Sequence, residues 1–166
     1  MLVKKHKEPL YRFVRRYVGQ ADDAYDILQD SFVSAWTALP RYDPKRPFAP
    51  WLHRIALNKC RDFGRRQAVR RALLRIVAVE PPDVSQSDAE IIDAEAQASN
   101  KLRRLNKAVA DLPARYKEPL LLTAMEGRSH DEAAQMLGIS SKAVEMRVYR
   151  ARHQLRQAMG EEEAEG

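Results

Sequence analysis

The feature that most constrains the fold is the recurrence of apolar residues at spacings of three and four along the chain. Near the C-terminus these residues are Val144, Val148, Ala151, Leu155 and Ala158. On an α-helix this spacing makes one apolar stripe that packs against neighbouring elements. The same periodicity recurs upstream, glycine is scarce, and runs of β-branched residues are short. The sequence therefore predicts an all-α protein.

Proline and glycine divide this pattern into seven predicted helices. The breaks fall at Gly19, between Pro40 and Pro50, at Pro81–Pro82, at Leu112–Pro113 and at Gly127. Pro119 lies inside a predicted helix and should kink it, because proline has no amide hydrogen to donate. The predicted helices span residues 3–18, 22–39, 48–76, 100–111, 114–126, 130–138 and 141–158.

The charge is distributed in blocks along the chain. Residues 1–77 carry a net charge of +10 and residues 99–160 a net charge of +6. Residues 78–98 contain six acids and no base, and the tail 161–166 contains four glutamates. We therefore predict two small helical domains, 1–77 and 99–160, joined by an acidic linker, 78–98, with some helix in its second half. Two basic domains are typical of nucleic-acid binding, although ordinary solvated helix faces account for such charge equally well.

Cysteine and histidine usage narrows the class of function. Cys60 is the only cysteine, which excludes an internal disulfide and is typical of a cytoplasmic protein; periodicity makes it a packing residue. No apolar run has the length of a membrane-spanning helix, so no membrane insertion is expected. The four histidines lack metal-ligand spacing, and no phosphate-binding loop or nucleophile motif is present. An enzyme is the least favoured class, and no catalytic residue, metal or cofactor is expected.

A helix-turn-helix is predicted near the C-terminus. Ser129 and Glu132 have the spacing of a capping box that opens a short helix. Gly138 is placed to end that helix in a left-handed conformation, and Ser140 to cap the next one. Away from its apolar stripe this second helix carries Met146 and Tyr149 among polar residues. Such a face suits the DNA major groove, whereas the alternative is a bundle helix whose Tyr149 packs on a neighbour. The face comprises Lys142, Glu145, Met146, Tyr149, Arg150, His153 and Arg156.

The predicted helix 48–76 has a second divided pattern. Arg54, Asn58, Arg61 and Arg65 form a polar stripe that suits DNA bases and phosphates. The preceding loop, 41–50, is basic, rich in proline and contains Tyr42, and aromatic residues among cations suit unstacked bases of single-stranded DNA. By periodicity, Phe48 and Trp51 are core residues rather than stacking platforms.

The predicted helix 22–39 has an acidic edge. Its acids extend over two turns, further than a complement to the helix dipole requires, and indicate a protein partner. The acidic edge consists of Asp22, Asp23, Asp26, Gln29 and Asp30. The opposite, apolar side is expected to consist of Ile27, Leu28, Phe32, Val33 and Trp36.

Three motifs in this order resemble the bacterial sigma-70 family, and the absence of further regions resembles its extracytoplasmic-function group. Asp22 to Phe32 with Ala35-Trp36 is similar to the polymerase-binding segment of sigma region 2. Phe48, Trp51-Leu52, Ile55-Ala56, Asn58, Asp62 and Arg65-Arg66 are similar to its promoter-reading helix. The segments similar to sigma region 4 are Leu112-Pro113-x-Arg115, Asp131 to Ala134, Leu137 to Ser140 and Arg147 to Arg152.

The resemblance implies a transcription initiation factor that binds RNA polymerase core and promoter DNA. Asp26, Gln29 and Asp30 would face the β′ clamp, and region 4 would dock on the β flap. The −10 element would be melted and bound by Tyr42, Arg54, Asn58, Arg61 and Arg65. The −35 element would be bound by Lys142, Glu145, Met146, Arg147, Tyr149, Arg150 and Arg152, with Arg147 and Arg152 near phosphates. An anti-sigma factor would hold the protein inactive.

The chain departs from the family pattern at the helix predicted to read the −35 element. Ala143-Val144-Glu145-Met146 stands where the family usually has Thr-Val-basic-Ser, which implies a different −35 sequence. Reach is compatible with two sites, because about 20 extended residues span at most roughly 66–72 Å, nearly two turns of B-DNA at about 34 Å each.

Two alternatives to a sigma factor stay open on the sequence. The first is a stand-alone helix-turn-helix repressor, which leaves the acidic edge and the 41–50 loop without a role. The second is a sigma-mimicking adaptor that sequesters an anti-sigma factor, although such adaptors carry a receiver domain that this chain lacks. A repressor would bind promoter duplex tightly without polymerase, whereas a sigma factor alone should bind it weakly.

Overall fold

A computed structural model describes residues 2–76 and 94–160, and in these ranges the chain forms α-helices and one short 3-10 helix, with no strand. The predicted all-α class is confirmed. The predicted bounds agree closely with the observed helices, except that α4 begins at Ala94, inside the predicted linker. The remaining linker residues and the tail lie outside the described residues. The helices are α1 (Leu2–Val18), α2 (Ala21–Ala38), α3 (Phe48–Ile76), α4 (Ala94–Asp111), α5 (Ala114–Ala124), α6 (His130–Leu137) and α7 (Ser141–Met159), with the 3-10 helix at Leu39–Arg41.

The N-terminal half is a three-helix unit in which α1 packs on α2 and α3, and α2 packs on α3. Leu10 and Phe13 of α1 meet Leu28 of α2 and Leu52 of α3 in its core, and all four are almost completely buried. Gly19 ends α1 with a φ of 85°, a left-handed conformation that favours glycine. The short connection to α2 then lets the two helices lie side by side.

The C-terminal half is built on α7, which packs on α4, α5 and α6. The apolar stripe predicted for α7 is buried at Val144, Val148 and Ala151. Leu155 is half-buried and Ala158 is exposed, so the last turns of α7 extend beyond the core. On the opposite, outer face of α7, the side chains from Lys142 to Arg156 are exposed.

Pro119 is fully buried inside α5, and the helix continues through it to Ala124. The missing amide costs one helical hydrogen bond. The Thr123 hydroxyl donates to the Pro119 carbonyl oxygen at 2.8 Å. The proline therefore does not end the helix, and the kink expected there stays a prediction.

The two halves are in direct contact, because α1 packs on α4 and α5. The buried apolar residues of both halves join in one cluster that runs from Leu10 in α1 to Leu121 in α5 and Val148 in α7. The sequence predicted two helical domains but no interface between them. This interface occupies Arg61, one of the residues predicted to bind the −10 element.

Candidate DNA-binding and protein-binding surfaces

The helix-turn-helix forms with the local geometry that its sequence predicts. The Ser129 side chain accepts a hydrogen bond from the Glu132 amide at 3.1 Å, and the Glu132 carboxylate accepts one from the Ser129 amide at 2.8 Å. Gly138 has a φ of 69°, and the Ser140 hydroxyl accepts from the Ala143 amide at 3.1 Å. The capping box, the glycine C-cap and the second serine cap are confirmed, and together they fix the angle at which α7 leaves the turn.

The outer face of α7 is open to solvent. Tyr149 is 60% exposed and Met146 is 42% exposed, so the alternative in which Tyr149 packs on a neighbouring helix is wrong. Lys142, Arg150 and Arg152 are exposed, and Arg147 is half-buried. Two apolar groups among cations on a free helix face have the chemistry of a surface that reads the major groove.

Glu145 is the one acid on this face, and it is paired with Lys142. The Lys142 ammonium donates to the Glu145 carboxylate at 2.9 Å. This hydrogen bond and the positive charge of Lys142 lower the pKa of Glu145. Glu145 is therefore ionised at neutral pH and is an acceptor, which suits the exocyclic amine of cytosine.

Aromatic side chains form a cluster where the loop before α3 meets the helix. The ring centroids of Tyr42 and Trp51 are 4.8 Å apart, those of Tyr42 and Phe48 5.6 Å, and those of Phe48 and Trp51 5.3 Å. All three rings are half-buried, and Phe48 and Trp51 pack on the core as periodicity predicts.

The residues of the polar stripe of α3 differ in their exposure and in their hydrogen-bond partners. Arg54 and Asn58 are exposed, and exposed Arg65 is paired with Asp62. Arg61 is turned towards the C-terminal half, where its Nε and Nη2 donate to the two carboxylate oxygens of Glu118 at 2.7 and 2.6 Å. The structure brings Arg54, Asn58 and Arg65 to the surface, but in this arrangement the guanidinium of Arg61 is occupied.

The acidic edge of α2 is part of a larger exposed surface. Asp26, Gln29 and Asp30 are exposed, as predicted. Val33 is 65% and Trp36 78% exposed, so the expectation that they lie with Ile27 and Leu28 on the side opposite the acids is wrong. Their spacing from the acids places them on the same face of the helix. We call this set, Asp26, Gln29, Asp30, Val33 and Trp36, the α2 face.

The described residues form neither a metal site nor a membrane-spanning helix. Among the described residues, His, Cys, Asp and Glu form no group of three or more that could hold a metal ion. Within the same residues, every helix is too short or too polar to cross a membrane.

The chain matches two sequence models of one family. Residues 2–70 match Sigma-70 region 2, and residues 102–155 match Sigma-70, region 4. The first segment contains the α2 face and most of α3, and the second contains the helix-turn-helix.

Similar proteins match over most of their length. The RNA polymerase sigma factor NccH of Alcaligenes xylosoxydans xylosoxydans is 39% identical over 154 residues, which cover 93% of this chain and 82% of that protein. The RNA polymerase sigma factor CnrH of Cupriavidus metallidurans is 38% identical over 157 residues, with the same two coverages. The ECF RNA polymerase sigma factor SigE of Mycolicibacterium smegmatis is 31% identical over 166 residues, which cover 99% of this chain and 62% of that protein.

Solved structures show the same fold. CnrH in complex with the cytosolic domain of CnrY superposes with a TM-score of 0.68 at 33% identity, over 98% of this chain and 87% of that chain. The sigma factor RpoE in complex with the anti-sigma factor NepR from Bartonella quintana has a TM-score of 0.73 at 22% identity, over 98% and 96%. From the two matched regions and these relatives, the chain belongs to the sigma-70 family, in its extracytoplasmic-function group.

Proposed function

We propose that this chain directs RNA polymerase to specific promoters by binding the core enzyme through one surface and promoter DNA through two others. The observation that carries the proposal is the exposure of three chemically different faces on a sigma-factor fold: the α2 face, the α3 stripe with its loop, and the outer face of α7. A duplex-binding repressor has no use for the first two. The proposal places the protein in the cytoplasm, where transcription takes place.

The α2 face fits the β′ clamp of the polymerase. Exposure of a large apolar side chain to water is unfavourable, and tryptophan is among the residue types most enriched at the centres of protein interfaces. Asp26 and Asp30 beside it add charge that speeds encounter with a basic partner and fixes orientation. We assign the α2 face to the clamp and the C-terminal half to the β flap.

The α3 stripe and its loop fit the −10 element. Asn58 can hydrogen-bond a base edge, while Arg54 and Arg65 hold phosphates. Tyr42 offers a ring on which an unstacked base can stack, so the loop would hold a base of the melted strand. Arg61 joins this surface once Glu118 releases it.

The outer face of α7 fits the major groove at the −35 element. Met146 can contact a thymine methyl, Tyr149 can contact a methyl or donate a hydrogen bond, and Glu145 can accept one from cytosine. Lys142 and Arg150 can reach bases or phosphates, and Arg147 and Arg152 would contact phosphates. The helix-turn-helix orients this face towards the groove.

Regulation by an anti-sigma factor is part of the proposal. RpoE is complexed with the anti-sigma factor NepR, and CnrH with the cytosolic domain of CnrY. The likeness to CnrH in sequence and fold supports the same mode of control for this chain. A partner that covers the α2 face would keep it from the polymerase.

In vitro transcription with bacterial core polymerase and a library of randomised promoters tests the proposal. We expect the protein to bind core in gel filtration and to select templates with two shared elements, from which transcripts start at a fixed distance. A matched reaction with core alone gives the background. A folded protein that does not bind core, or that selects no shared elements, would contradict the proposal.

A further inference from the structure

The interface between the two halves contains buried charges. Lys117 and Glu118, adjacent in α5, are only 7% and 5% exposed. Burial of charged groups is costly unless each one finds close partners. Both residues find these partners across the interface, in α1 and α3, rather than within their own half alone.

Glu118 is the centre of this contact. Its two carboxylate oxygens accept from Nε and Nη2 of Arg61 at 2.7 and 2.6 Å, a two-pronged geometry that is stronger than a single contact. The Tyr17 hydroxyl donates a third hydrogen bond to Glu118 at 3.1 Å. Residues of α1 and α3 thus converge on one side chain of α5.

Further contacts surround this centre. The Lys117 ammonium donates to the carbonyl oxygen of Tyr17 at 3.0 Å and to that of Ala110. Nε2 of buried His53 lies 2.9 Å from a carboxylate oxygen of Glu126, a contact outside hydrogen-bond geometry. The backbone at Gly19 is so close to α4 that a β-carbon there would lie 2.9 Å from that of Ala110. Only glycine permits this approach.

The charged groups buried beside the apolar part of the interface have a physical consequence. Charged groups that are desolvated when the halves close regain water when they separate, so closing gains less than an apolar interface of the same size would. Polar interfaces of this kind are typical of domains that move apart. A linker of the length between α3 and α4 permits such separation.

Arg61 belongs to the stripe assigned to promoter DNA. A carboxylate gripped at two oxygens by a guanidinium has the charge and geometry of a DNA phosphate contact. While Glu118 holds Arg61, the same guanidinium cannot hold DNA.

We propose that Glu118 acts as an internal substitute for DNA phosphate, so that it holds Arg61 and the two halves closed until promoter DNA and polymerase separate them. This inference rests on the proposed function, because it uses the DNA-binding role of α3. It assigns Glu118 as a positioning residue: it contacts no DNA itself but sets the fraction of protein whose Arg61 guanidinium is free.

The free full-length protein provides the test. Glu118→Gln keeps the size of the side chain and removes its charge. We expect it to bind fluorescein-labelled single-stranded DNA of random sequence at least about five-fold more tightly than wild type, because the apparent affinity rises with the open fraction. The radius of gyration from small-angle X-ray scattering should increase in parallel.

Two further variants separate opening from other effects. Glu8→Gln makes the same change of net charge at an exposed position of α1 away from the interface, and should alter DNA affinity and size little. Ala110→Phe leaves every charge in place and wedges the close approach at Gly19, so it should act like Glu118→Gln. Circular dichroism checks that each variant keeps its helices.

The three variants distinguish opening of the interface from an effect of net charge. Tighter DNA binding and a larger radius of gyration in both Glu118→Gln and Ala110→Phe support the proposal that Glu118 holds the two halves closed. If Glu8→Gln tightens DNA binding equally, the effect comes from net charge alone and contradicts the proposal. Unchanged DNA affinity and radius of gyration in both interface variants would also contradict it. Either result leaves promoter-directed transcription by the wild type intact, whereas failure of that transcription would instead contradict the proposed function.

Discussion

At the scale of single residues, Glu145 is the one acid among the basic and apolar residues of the outer face of α7. It is exposed on the outer face of α7, held by Lys142 and ionised at neutral pH. As an acceptor it favours cytosine, whereas an arginine would favour guanine. We expect Glu145→Arg to change the preferred base at one −35 position. The difference in binding free energy between the preferred base and the others at that position should be about 1–3 kcal/mol. Selection from a library randomised at the −35 element measures this preference, and an unaltered preference would show that α7 is docked differently.

Arg152 provides the matched control on the same helix. It is exposed, and we assign it to a phosphate, which carries no sequence information. Arg152→Ala should therefore weaken binding to all promoters by a similar factor and reduce the dependence of affinity on salt concentration. If it changes base preference instead, the assignment of Arg152 to the DNA backbone is wrong.

Cys60 is a natural reporter of the interface. Burial raises the pKa of its thiol to about 12, with Lys117 and Glu118 of the C-terminal half close enough to act on it electrostatically. The thiolate is the reactive form, so at pH 8 the folded protein should react with a thiol reagent many-fold more slowly than the denatured protein. Glu118→Gln should react faster than wild type. Fast labelling of the folded wild type would contradict the observed burial.

At the scale of secondary-structure elements, the α2 face gives a prediction about polymerase binding. Trp36 is 78% exposed, so Trp36→Ala should leave the free energy of unfolding nearly unchanged. If Trp36 anchors the β′ clamp interface, the same change should weaken binding to core by about 2 kcal/mol or more. The double variant Asp26→Lys, Asp30→Lys should weaken it as well. Fluorescence titration with core polymerase measures both, and unchanged affinity in all variants would remove α2 from the interface.

The turn between α6 and α7 gives a prediction about stability. Gly138 has a φ of 69° with open space around its Cα, so Gly138→Ala adds backbone strain without a clash. We expect it to lower the free energy of unfolding by about 1–2 kcal/mol. Gly64 lies inside α3, also with open space, and there the same substitution should stabilise by about 0.5–1 kcal/mol. Urea denaturation of the pair should show opposite signs.

The elements themselves were predictable from the sequence because their signals are local. Ser129, Glu132, Gly138 and Ser140 act on backbone groups within a few residues, so their spacing is enough to locate the caps. The exposure of Trp36 was not predictable in the same way. Periodicity indicates that a helix face is apolar, but it does not distinguish a face that meets the core from one that meets another protein.

At the scale of the whole molecule, the contact between the halves could not be predicted from the sequence. Glu118 is separated from Tyr17 by 101 positions and from Arg61 by 57. A glutamate next to a lysine on a helix is normally a solvated pair, and nothing near Glu118 in sequence indicates that both are buried. The sequence therefore groups Arg61 with the accessible members of its stripe, whereas its position in the closed structure depends on the other half.

The closed arrangement also leads to a prediction about control. The α2 face and the outer face of α7 stay exposed when the halves are closed, so an inhibitor must cover them rather than rely on closure alone. We expect a protein that binds both halves of one molecule at once, because joining two modest contacts on a single chain multiplies their affinities. In the cell of origin under non-inducing conditions, affinity purification should recover the chain with such a protein, and added core polymerase should not displace it. Trp36→Ala should weaken this complex as it weakens the complex with core. Recovery of the chain bound to core polymerase under those conditions would contradict this mode of control.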